Sequence, residues 1–157
     1  MGGLRSYGEE VSEPFVPTDF KVPVTFNAPG FHLEPLGPVH NERDYQAWMS
    51  SIEHISATPG MEWRDWPTPM TLEENLADME MHAKEFADRG SFTYSILDGD
   101  MVIGCVYIYP AEDNHDADVR SWVTEDRSEM DPVVWEALSG WLAVEWPFRR
   151  FSYANRT

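Results

Sequence analysis

The sequence is poor in positive charge and in cysteine, and it contains no long apolar run. Lys and Arg number 11 against 28 Asp and Glu in 157 residues, a formal charge of -17. Nonspecific affinity for nucleic acid or an anionic bilayer comes from clustered Lys and Arg that displace counterions, so both are excluded as unaided partners. The single cysteine, Cys105, has no mate for an intramolecular bridge. The first residues have neither the basic start nor the apolar core of a secretion signal, and no run approaches the roughly 20 apolar residues that span a bilayer. A reduced, cytoplasmic protein is expected. Also missing are a Gly-x-Ser-x-Gly elbow, a Walker loop and a dinucleotide fingerprint, which removes the commonest hydrolase, nucleotidase and dehydrogenase readings.

What is present is apolar enough to fold. A hydrophobic fraction of 42% with 13% aromatic residues offsets the ordering entropy that keeps highly charged chains disordered. The length fits one domain. Residues 1–28 carry Pro14, Pro17 and Pro23 with little periodicity and read as an extended arm, yet Phe15, Val16, Phe20, Val22 and Phe26 need a surface to pack on. Residues 29–157 form the domain proper.

Within it, Phe31 to Leu36 reads as a strand, and Asn41 opens a helix whose Tyr45, Trp48, Met49, Ile52 and Ile55 follow three-four spacing. An aromatic loop with Trp63 and Trp66 follows. Thr71 and Glu74 form a capping box for a helix with Leu72, Leu76, Met79, Ala83 and Phe86 on one face and Gly90 as its stop. Residues 91–97 and 101–109 flank Asp98-Gly99-Asp100 as a hairpin, and Gly104 inside the second run signals a bulge or a close backbone approach. A strand ending near Val123, a helix capped by Asp131 with Pro132 in its first turn, and a strand over 148–153 complete the chain. The result is an α+β fold: a mixed sheet with helices on both faces.

This order resembles the GNAT (Gcn5-related N-acetyltransferase) superfamily. The resemblance covers about residues 30–155 and is carried by Phe31-His-Leu-Glu-Pro-Leu, Thr71-Leu-Glu-Glu-Asn-Leu, the hairpin from Phe92 to Pro110, and Ala117-Asp-Val-Arg-Ser-Trp-Val. It implies acetyl-coenzyme A as cosubstrate and an amine as acceptor. On the family pattern, Trp122 and Val123 backbone would hold pantetheine, Arg127 and Ser128 would meet phosphate, and Asn155 falls near a family asparagine. The family places the pyrophosphate on a Gly-rich turn opening the next helix, where glycines permit close approach and free N–H groups receive an anion. Here that turn reads Arg127-Ser-Glu-Met-Asp-Pro132. Neither glycine is present, Pro132 has no N–H, and Glu125, Asp126, Glu129 and Asp131 would repel a polyanion. The family's further helix and strands after the position of residues 148–153 also have no counterpart, so a C-terminally truncated domain is expected.

Two readings of different class follow: an acyl-coenzyme A dependent N-acetyltransferase acting on an amine, and a GNAT-like relic that has lost the coenzyme and binds a small molecule or a protein. A homodimer could form through the arm or the exposed sheet edge, and the arm is expected to cover that edge. Trp63, Trp66, Tyr94 and Tyr109, with Tyr107 and Trp122, are candidates to line an amine pocket, since aromatic faces beside carboxylates suit a cation. Glu34 and Asp118 are the candidate general bases. No metal is expected: Glu112 to Asp118 lacks the Gly and terminal Glu of a calcium loop, and its one His is not a zinc set. His32, His40, His54 and His82 are assigned to surface or capping roles, and Cys105 to core packing.

Overall fold

A computed structural model describes residues 13–62 and 65–157. In chain order the elements are β1 (Phe26–Ala28), β2 (Phe31–Pro35), a 3-10 turn (Pro38–His40), α1 (Asn41–Met49), α2 (Ile52–Ser56), α3 (Leu72–Ala87), β3 (Phe92–Asp98), β4 (Met101–Pro110), β5 (Ala117–Val123), a second 3-10 turn (Glu125–Arg127), α4 (Met130–Glu145) and β6 (Phe151–Tyr153). The strands make one sheet in that same order. Pairing is antiparallel from β1 through β5 and parallel between β5 and β6, across the α4 crossover. The mixed sheet with helices on both faces is the α+β architecture expected.

The hairpin forms as the Asp-Gly signal requires, with Gly99 at φ +61. Strand β4 is buried from Val102 through Ile108, because both of its faces carry core. Its pairing with β3 steps from Ile96–Gly104 to Leu97–Val102 and leaves Ile103 as an extra, bulged residue. On its other side Gly104 lies against β5 so closely that a Cβ there would sit 2.2 Å from the Trp122 carbonyl oxygen. Both readings of Gly104 thus hold at once.

One face of the sheet packs Leu33, Tyr94, Val106 and Val119 against Leu138, Trp141 and Leu142 of α4. The arm lies on this face too. Val16 is buried, Phe15 stacks on Phe92 and Phe148, Phe20 meets Trp146, and the Tyr94 hydroxyl donates to the Pro23 carbonyl at 2.7 Å. The arm therefore finds its surface within the same chain, and the strand it contributes, β1, covers the free edge of β2. This corrects the expectation that it would cover the edge beyond β6. The other face packs Leu97, Cys105, Tyr107 and Trp122 against α1 and α3 through Trp48 and Met79.

Five local expectations change. The helix read from Asn41 through Ile55 breaks at Ser50-Ser51: the Ser50 hydroxyl turns back to the Ala47 carbonyl at 2.7 Å, and Ser51 receives the Glu125 N–H at 2.9 Å. Short hydroxyl side chains compete with the helix ladder in this way. On α3 the capping box forms, with Glu74 N–H to Thr71 Oγ1 at 3.1 Å and Thr71 N–H to Glu74 Oε1 at 2.8 Å. Its buried face, however, centres on Asn75 and Met79, leaving Leu72 39% exposed, and the left-handed residue past its end is Arg89, not Gly90. Arg89 reaches the Pro17 carbonyl and fastens the arm. Finally, Asp131 does not cap α4, which starts at Met130, and β6 begins at Phe151 because Phe148 turns into the core.

Candidate functional site

A cavity of about 200 Å³ opens between α1, α3 and β4 on the second face. Its walls are the rings of Trp48, Trp66, Tyr107 and Tyr109; Asp44 lies at its base and Asp78 on its α3 side. Helical spacing explains the set. Asp44 and Trp48 are four apart on α1 and share its buried face, while Asn75, Met79 and His82 occupy successive turns of α3 opposite them. Strand alternation sends Tyr107 and Tyr109 to the same side of β4.

Asp44 is only 3% exposed. Asn75 holds it, donating from Nδ2 to Asp44 Oδ2 at 3.2 Å and to Asn41 Oδ1 at 2.9 Å, while Asn75 Oδ1 accepts the Trp48 indole N–H at 3.0 Å. Burial raises the Asp44 carboxyl to about 7, against the lowering effect of the Asn75 bond and with a further push from Asp78. Asp78 is itself raised by desolvation, and His82, mostly buried, is lowered for the same reason. A carboxyl that ionises near neutrality in an aromatic cavity is a recognised mark of a functional site. Sequence reading passed over Asp44. The available signal was an acidic residue four positions before a buried Trp, inside the apolar stripe.

Of the aromatic candidates, Trp66 and Tyr109 line this cavity, and Tyr107 joins them. Trp63 lies outside the described residues. Tyr94 does not line it: strand parity puts its ring on the opposite face, fully buried against Phe86 and Trp141. Trp122 is buried behind the cavity and donates its indole N–H to the Tyr107 hydroxyl at 2.9 Å.

Glu34 is far from the strand it was expected to serve. The register runs Glu34 to Ser95, Ser95 to Cys105 and Cys105 to Trp122, so three strand spacings, roughly 14 Å, separate it from β5. It instead receives His32 Nε2 at 3.0 Å and His40 Nε2 at 2.9 Å, which hold its carboxyl below the usual range, His40 contributing most. His40 is buried, and its Nδ1 accepts the Gly37 N–H at 3.2 Å, so its Nε2 is the donor to Glu34. Of the two roles expected for that histidine, surface or capping, it takes the second: it caps the 3-10 turn at Gly37 while its ring is buried. Asp118 pairs with Arg120 at 2.9 Å in an open groove whose lining includes the exposed Glu112, Asp113 and Ser152. Cys105 is buried and its thiol is pushed well up by burial. No three His, Cys, Asp or Glu side chains gather as a metal group among the described residues, and no described helix is long and apolar enough to cross a membrane.

The place where a coenzyme is expected is occupied by the chain's own side chains. Parallel pairing between β5 and β6 covers only Ala117 to Val119; β6 ends there at Tyr153 while β5 runs on to Val123, leaving a parting between β5 and the chain that follows β6. Arg156, its side chain 3% exposed, fills the parting: Nε donates to Asp131 Oδ2 at 2.8 Å, Nη2 to the Ser121 carbonyl at 2.8 Å and Nη1 to the Ala154 carbonyl at 2.7 Å. Beside it the Tyr153 and Ser121 hydroxyls meet at 2.7 Å. Arg127 is engaged with Asp98 at 2.9 Å, Ser128 is exposed, and Asn155 accepts bonds from Thr157. Val123 and Trp122 are 1% exposed. These residues do not fit a coenzyme pyrophosphate: the helix start offers Glu129, Asp131 and Pro132 where an anion needs N–H donors.

No family model matches the sequence, and no curated protein matches it by sequence. Solved structures do match the fold. RimL, a ribosomal L7/L12 α-N-protein acetyltransferase in complex with coenzyme A, superposes with a TM-score of 0.64 at 16% identity, over 83% of this chain and 72% of that one. An acetyltransferase from Salmonella typhimurium that modifies the N-terminal serine of L7/L12 gives 0.62 at 12% identity, over 82% and 73%. The ribosomal-protein-S5-alanine acetyltransferase from Vibrio fischeri gives 0.57 at 10% identity, over 77% and 68%. The fold of this chain is the GNAT acetyltransferase fold.

Proposed function

We propose that this GNAT-fold chain is a binding protein that takes a small amine in the cavity beside Asp44, and that it has exchanged the usual coenzyme site for an internal latch. The observation carrying this reading is Arg156, which bridges Asp131 and the Ser121 carbonyl across the parting of β5 and β6. Buried and charge-paired, it would leave an uncompensated carboxylate behind if displaced, a change that is strongly unfavourable. The four aromatic walls and two carboxylates of the cavity support an amine as the ligand.

A second reading, acyl transfer from an acyl-coenzyme A to that amine, is favoured by one observation: β5 runs past Val119 with no strand beside it on the β6 side, as pantetheine binding would need. It requires the Arg156–Asp131 pair to separate. Calorimetric titration with acetyl-coenzyme A at moderate salt decides between them. The binding reading expects no saturable signal up to millimolar concentration; saturable micromolar binding would overturn it in favour of the transferase.

A further inference from the structure

We propose that Arg156 is the pin of a cover over the open edge of β5, and that with the pin removed this edge pairs with the same edge of a second copy of the chain. The inference goes beyond the latch reading above and does not depend on what the cavity binds.

The edge follows from the topology of the sheet. Strand β5 pairs with β4 along its whole length, from Ala117 to Val123, but with β6 only from Ala117 to Val119. With β4 on one side, it turns the backbone groups of alternate residues to the other. Ser121 is one of these, because its carbonyl is the one that Arg156 reaches. Open strand edges are templates for pairing with another chain, and proteins shorten or cover them. Both devices occur in this sheet: β1 covers the edge of β2, and β6, the outermost strand at the other end, is three residues long. From Arg120 to Val123, however, β5 has no strand beside it on the β6 side among the described residues.

Arg156 stands in for the missing strand. Its Nη2 donates to the Ser121 carbonyl at 2.8 Å, the bond that the N–H of a neighbouring strand makes in a sheet. The other two nitrogens fix the guanidinium from both sides, Nε to Asp131 Oδ2 at the start of α4 and Nη1 to the Ala154 carbonyl behind β6. One side chain thus ties β5, α4 and the segment after β6 together. A planar fork of N–H donors can meet a carboxylate and two carbonyls at once, which a lysine ammonium on its single stem does poorly. Two smaller contacts close the same seam: the Tyr153 and Ser121 hydroxyls meet at 2.7 Å, and a Cβ at Gly60 would lie 3.3 Å from that of Ala154, so the covering segment rests against the Gly60 turn. Ser121 ends up fully buried. A second copy is the partner that fits the uncovered edge, since it brings the same edge. Two β5 edges related by a two-fold axis pair antiparallel, each supplying N–H groups to the other's carbonyls, and continue the sheet from one chain into the next. The stretch is short, so the association depends on concentration.

The test compares the full chain with Arg156→Ala, and with Asp131→Asn combined with Arg156→Met, by sedimentation over a concentration series at moderate salt, which screens the charge of -17 that keeps copies apart. The double variant is included because loss of Arg156 alone leaves the Asp131 carboxylate buried without its partner and can unfold the chain, whereas a neutral amide beside an apolar side chain leaves no charge behind. Circular dichroism checks that each variant is folded. A folded variant is expected to grow to about twice the parent's mass at concentrations where the parent keeps its size. Hydrogen exchange read by mass spectrometry is expected to show residues 117–123 of the variant gaining protection as concentration rises. A folded variant that sediments like the parent at every concentration overturns the proposal. So does association in which the added protection falls outside β5, since the interface is then not this edge.

Discussion

At Asp44 burial outweighs hydrogen bonding, and the sign of its effect on stability follows. Its carboxyl, ordinarily at 3.8, stands near 7 in the folded chain. The folded state therefore keeps a proton that the unfolded state releases from about pH 4 upward, so Asp44 favours folding at low pH and that contribution is lost as pH rises through 7. Replacement by Asn, which keeps the shape and the Asn75 contact, should stabilise the ligand-free protein by on the order of 4 kcal/mol at pH 8 and by less than half of that at pH 5. Thermal melts at the two pH values check this. A lower melting temperature for Asp44→Asn at pH 8 would mean that the charge is already compensated. Once ionised, such a residue destabilises the ligand-free fold it belongs to.

At the scale of the element, the β4–β5 contact is the least forgiving. Any side chain at Gly104 drives into the Trp122 carbonyl, and the oxygen belongs to a strand held in register by β4 as far as Val123. Gly104→Ala should cost about 3 kcal/mol, read as a lower urea midpoint; a change under ~0.5 kcal/mol would show that the strands can part. This contact, like the hairpin and the α3 capping box, was legible because it depends on local signals: an isolated Gly in a strand, Asp-Gly in a turn, Thr and Glu three apart. The faces of the helices were less legible. Hydrophobic periodicity puts Leu72 and Leu76 inward on α3, whereas the cavity draws in Asn75, whose amide satisfies Trp48 and Asp44 together. Polar residues that serve a buried network break the apolar period, so the site's own residues, Asp44 and Asn75, escaped a pattern built on hydrophobicity. Trp66 and Tyr109 were found because their size marks them; Tyr94, equally large, was misplaced because strand parity across three strands cannot be read without the register. The latch was invisible for a similar reason, since Arg156 and Asp131 are 25 positions apart in the sequence.

The whole molecule carries a formal charge of -17, and a field of that sign concentrates cations near its clefts while repelling polyanions. This agrees with a cationic ligand in the α1–α3 cavity and with the failure of the α4 start to suit a pyrophosphate. The arm is the other global feature. Removing residues 1–25 should expose Phe92, Tyr94 and Trp146, lower the melting temperature by more than about 5 °C and raise binding of a hydrophobic dye. Unchanged melting and solubility would reduce the arm to an appendage.

The stacking of Phe15 on Phe148 also sets an order of events during synthesis. Chains emerge from the ribosome N-terminal end first, and domains fold once their partners are available. Here the first aromatic residues of the core must wait for nearly the last. Until Trp146 and Phe148 have left the exit tunnel, the arm has only part of its binding surface, and the strand face it will cover stays open to water. Folding of this domain should therefore wait until its last strand has emerged, and the interval before that is when the nascent protein most needs a chaperone.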